Sequence, residues 1–129
     1  MEKCSVMINA WEIQCCGERF KCGEFVKWRV ERFDKALESF PESGVIDYCY
    51  ENHPTKTSGY YVLTGVVADI EVLFTLLVPD SSKAGKWLKR SDSYKKPVKE
   101  ATILVENENN HQFDGYIVHF DDYQFRPEN

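Results

Sequence analysis

Residues 24–33 constrain the fold more than any other stretch. Val26, Trp28 and Val30 fall on one side of the chain, and Lys27, Arg29 and Glu31 on the other. A period of two with β-branched and aromatic residues is the pattern of a half-buried strand. The alternation returns at 113–121, where Tyr116, Val118 and Phe120 share a face and Ile117 and His119 lie opposite. It returns again within 59–78, where Val66, Ala68, Ile70, Val72 and Phe74 line up against Asp69 and Glu71. That segment is too long for one flat strand, and Gly65 is the natural place for a bend or bulge.

The remaining segments fit the same picture. Residues 5–14, beginning with Val6 and Ile8, read as a first strand, and 45–50 and 98–106 as further ones. Asn52, His53, Pro54 and Thr55 make a turn, and Asn107 to Gln112 a loop. Residues 34–41 are expected to form one or two helical turns that Pro41 stops. Residues 79–97 are polar, with room for a short helix around Lys83–Leu88. The total is six or seven strands with no regular strand–helix–strand rhythm. This predicts a mainly β fold: a single small antiparallel barrel of SH3 or OB type, or a two-sheet sandwich, with at most one or two short helices. At 129 residues the chain is expected to be a single domain, 1–129.

Between residues 11 and 28 the chain reads Trp11-x3-Cys15-Cys16-Gly17-x2-Phe20-x2-Gly23-x2-Val26-x-Trp28. This resembles a group of small uncharacterised bacterial proteins, a domain of unknown function, that open with the same pattern. The resemblance implies a bacterial-type cytoplasmic protein and carries over no activity. Physically, Gly17 and Gly23 bracket a turn, Phe20 packs beneath it, and Val26 and Trp28 enter the core.

No apolar run of secretory type opens the sequence, and the apolar stretch Val62 to Val78 carries Asp69 and Glu71 near its middle. A buried β-segment explains that stretch better than a membrane span. The five cysteines (Cys4, Cys15, Cys16, Cys22 and Cys49) are odd in number, so free thiols in a reducing cytoplasm are expected.

Two features bear on chemistry. The vicinal cysteines Cys15 and Cys16 are the first. On a strand one would be buried and one exposed. Adjacent thiols are too close for comfortable tetrahedral ligation of one metal, and a zinc site would need Cys22 and His53 or His111 to complete it. A histidine–cysteine nucleophile pair is conceivable with Cys15, Cys16 or Cys49, but such pairs are spatial and the sequence does not reveal them. The second feature is a basic segment: Lys83, Lys86, Lys89, Arg90, Lys95, Lys96 and Lys99, opposed by Asp92 and interleaved with Trp87 and Tyr94. Cations with aromatic rings suit an anionic ligand, so Lys86, Trp87, Arg90, Tyr94, Lys95 and Lys96 are the candidate binding residues. The same pattern also fits a solvated loop anchored by Trp87. A net charge of −5 argues against nucleic acid as the partner. Asp121-Asp122 lacks the oxygen ligands of a calcium loop.

Familiar enzyme motifs are missing: there is no P-loop, G-x-G-x-x-G, G-x-S-x-G or H-E-x-x-H. No cofactor is implied. The leading expectation is a non-catalytic cytoplasmic binding module that contacts an anionic small molecule or an acidic partner through residues 83–99. The alternatives are a thiol-dependent metal-binding or redox protein using Cys15–Cys16, and a structural protein that self-associates.

Overall fold

A computed structural model describes residues 3–37, 40–53, 55–79 and 88–128, with the side chains of residues 16 and 89 left out. The elements run β1 (Cys4–Asn9), α1 (Ala10–Cys16), β2 (Phe20–Lys21), β3 (Phe25–Leu37), β4 (Phe40–Tyr50), β5 (Tyr60–Pro79), β6 (Leu88–Val98), β7 (Glu100–Ala101) and β8 (Gln112–Pro127). The protein is mainly β, as its alternating segments predict.

The principal sheet has the order β3-β4-β1-β8-β5-β6, with β3 also paired to β5. The 20-residue β5 makes this possible. Its first half pairs with β3, its second half with β6, and β8 runs antiparallel beside both halves. Register shifts on either side of Val67 let β5 bend between the two partners. The pairings thus run in a ring through β3, β4, β1, β8 and β5, while β6 lies outside it. The result is a folded-over, sandwich-like sheet and not a true barrel. A small β2–β7 ribbon packs beside it.

β1 explains why the core has two sides. Its residues Cys4 to Ile8 are all buried, so both faces are covered. Val6 and Ile8 join the main cluster with Ile70, Val72, Phe74, Tyr116, Val118 and Phe120. Met7 points the other way and joins Ile46, Leu73 and Ile117 in a second, smaller cluster.

Several sequence expectations are corrected. The first strand stops at Asn9, and residues 10–14 turn into α1. Ala10, Glu12 and Gln14 are good helix formers, and the short helix buries Ile13. Residues 34–37 are strand, not helix, because pairing with β4 extends β3 through an irregularity between Arg32 and Lys35. Tertiary pairing overrides local propensity there. The bulge moves Val67, not Val66, into the core: Val67 is 1% exposed and Val66 48%. The expected 98–106 strand shrinks to Glu100–Ala101. Residues 88–97 form most of β6, where the sequence suggested a polar loop. The proposed Lys83–Leu88 helix falls mostly on residues outside the described ones. Among the described residues antiparallel pairing has one exception, since β1 and β4 run parallel.

Candidate functional site

Helix α1 sits where β1 leaves the sheet, and two sets of side chains gather around it. The first set involves the segment after β4. Glu12 is 1% exposed, and its Oε2 accepts the backbone N–H of Asn52 at 3.1 Å. The backbone N–H of His53 donates to Glu51 Oε1 at 2.9 Å. These two bonds bring the imidazole of His53 over the helix. Its Nδ1 lies 3.5 Å from Glu12 Oε2, and its Nε2 lies 3.8 Å from Cys15 Sγ. The exposed indole of Trp11 lies against the same imidazole, with centroids 5.3 Å apart. Burial raises the Glu12 carboxyl above its usual range. The Asn52 N–H opposes that rise, and the neighbouring Glu51 charge adds to it.

The second set is a groove of about 320 Å³ between α1 and β3. Ile13 and Phe20 are buried at its base, Trp28 and Tyr50 are half-buried, and Arg19 and Lys27 are exposed at its rim. The aromatic rings brace one another edge-on. Trp28 is 5.0 Å from Phe20 and 5.6 Å from both Tyr50 and Phe120. Gly17 closes the helix end of this groove. Its N–H donates to Ile13 O, and a Cβ there would lie 2.5 Å from the Ile13 Cα.

The cysteines are dispersed. Cys15 is exposed on α1, and Cys16 is also on α1, so opposite strand faces do not apply to them. Cys22 is half-buried, with its Sγ 3.9 Å from Val98 O. Burial pushes the Cys49 thiol up to about 11. Among the described residues, no three His, Cys, Asp or Glu side chains gather as a metal-holding group.

Of the predicted basic-segment residues, Lys86 and Trp87 lie outside the described residues. The other four lie on β6, each beside an acidic or aromatic neighbour. Arg90 pairs with Asp114 at 3.0 Å, Lys95 with Glu71 at 3.3 Å and Lys96 with Glu108 at 2.8 Å. Tyr94 stacks on Phe74 and donates its hydroxyl to Glu108 at 2.7 Å. The Lys96 ammonium, then the Tyr94 hydroxyl, holds the Glu108 carboxyl below its usual range. The sequence missed Glu12 and Asn52. Thirty-eight residues separate Cys15 from His53, and no local pattern marks that meeting.

Residues 2–122 match the model of a family of unknown function, DUF6578. The chain belongs to that family. No curated protein and no solved structure matches it. Among the described residues, no helix is long and apolar enough to cross a membrane.

Proposed function

We propose that this DUF6578 domain is a binding module for a small planar organic molecule, held in the groove between α1 and β3. One observation carries the reading: the half-buried rings of Trp28 and Tyr50 line a groove of about 320 Å³ over a buried apolar base. Its volume falls in the range of small-molecule sites, about 300–1,000 Å³, and its rings sit among charged residues and Asn52. Edge-on bracing presets the rings and lowers the ordering cost of binding. Glu18, Arg19, Glu24 and Lys27 supply charges of both signs for a polar substituent. An anion on β6 would compete with Asp114, Glu71 and Glu108, which already face its cations. The groove is therefore favoured over the basic strand.

The test is an amide-resolved NMR titration with 2-naphthol, repeated with pyrophosphate. Naphthol is expected to shift amides at 17–20, 25–28 and Asn52. No shift there at saturating naphthol would contradict the reading. Pyrophosphate shifts confined to 90–96 would return the site to β6.

A further inference from the structure

We infer that Cys15 is a thiol nucleophile activated by His53, a site for covalent addition to an electron-poor alkene conjugated to a carbonyl. This inference stands on the cluster after β4 and does not depend on ligand binding in the groove. Nε2 of His53 lies 3.8 Å from Cys15 Sγ, within reach of the thiol proton. Nδ1 of the same ring lies 3.5 Å from the buried Glu12 carboxyl. Glu12 therefore favours the tautomer that carries its proton on Nδ1 and leaves Nε2 to accept from sulfur. It also stabilises the imidazolium once that proton arrives. The Trp11 indole lies tilted against the ring, with centroids 5.3 Å apart. Cys15 is exposed, so a small electrophile can reach it.

Among the described residues, His53 faces the thiol, and Glu12 on α1 and Glu51 on the segment after β4 lie against His53. The C-terminal end of a helix disfavours a thiolate, and both carboxylates do the same. His53 is the cation that offsets them. Conjugate addition needs only what is assembled here, a thiol and a base that can return its proton. The Sγ proton passes to Nε2, and the sulfur lone pair forms an S–C bond at the β-carbon of the alkene. The π pair moves toward the carbonyl, and the α-carbon then takes the proton back from Nε2. Nothing leaves and no oxidant is needed.

The test follows the addition of acrylamide to each cysteine at pH 7 by peptide mass spectrometry, with fragment ions separating Cys15 from Cys16. Cys15 of the folded protein is expected to react about tenfold faster than Cys15 of the urea-unfolded protein, where His53 no longer faces it. The substitution His53→Gln is expected to slow addition to folded Cys15 about tenfold. The comparison of folded and unfolded unaltered protein gives a second readout if the variant folds poorly. Equal rates in the folded and unfolded protein, or no addition at Cys15, overturn the inference. A fast rate that His53→Gln leaves in place overturns it too.

Discussion

Glu12 shows how one buried carboxyl can tax the fold while serving a site. Burial raises its pKa, so the folded chain holds the Glu12 proton more tightly than the unfolded chain does. A raised folded pKa means that stability is lost as pH rises through that value. Glu12→Gln keeps an oxygen for the Asn52 N–H and removes the charge. Its denaturant midpoint at pH 8 is expected above that of the unaltered protein, with the gain shrinking toward pH 4. A clear loss of stability at pH 8 would contradict this account of Glu12. Gly115 is the opposite case, a residue with no freedom to change. Its φ is +142°, and a Cβ there would sit 2.2 Å from Ile8 O on β1. Gly115→Ala is expected to cost about 3 kcal/mol or more, read from chemical unfolding. Neither role is written in the local sequence. Gly115 lies inside a clean alternating run, and Glu12 meets Asn52 across 40 residues of chain. Cys15 and Phe20, by contrast, stand out in the sequence. Phe20 is buried beside Trp28 as its place near the turn suggested.

β5 and β6 are neighbouring elements of very different weight. Val72, Leu73 and Phe74 on β5 are all buried, because the strand has a core cluster on each face. Leu73→Ala is expected to cost about 2–5 kcal/mol. On β6, Lys96 is exposed and pairs with Glu108 near the surface. Lys96→Ala is expected to cost under about 1 kcal/mol. Paired urea titrations read both, and a larger loss for Lys96 would assign β6 a structural weight its burial does not suggest. Alternation made β3, the later half of β5 and β8 legible, because one face of each is largely apolar. It did not reveal the parallel β1–β4 pair, since partner and direction are set by distant contacts. Nor did it reveal α1, whose seven residues make about two turns, too few for a helical period to emerge from a β-rich sequence. β6 was hidden by its charge, which sequence patterning assigns to loops but which edge strands tolerate.

At the scale of the whole molecule, one long bent strand ties two pairing regions together, and the outer strand β6 carries charge instead of an apolar edge. Charged edges oppose strand-to-strand association. Sedimentation is therefore expected to show a single 15.0 kDa species at low and high salt. A dimer that dissociates with added salt would shift the reading toward assembly. Membership in DUF6578 covers residues 2–122 and leaves the activity to be read from the site. The fold class was legible because alternation recurs in three well-separated segments, 24–33, within 59–78 and 113–121. The groove was not, because Ile13, Phe20, Trp28 and Tyr50 come from four separate segments. The most direct measurement is a crystal structure of the protein soaked with 2-naphthol. The expected result is ordered density for the ring system against Trp28 and Tyr50. An empty groove at full soaking, or naphthol bound only elsewhere, would contradict the central claim.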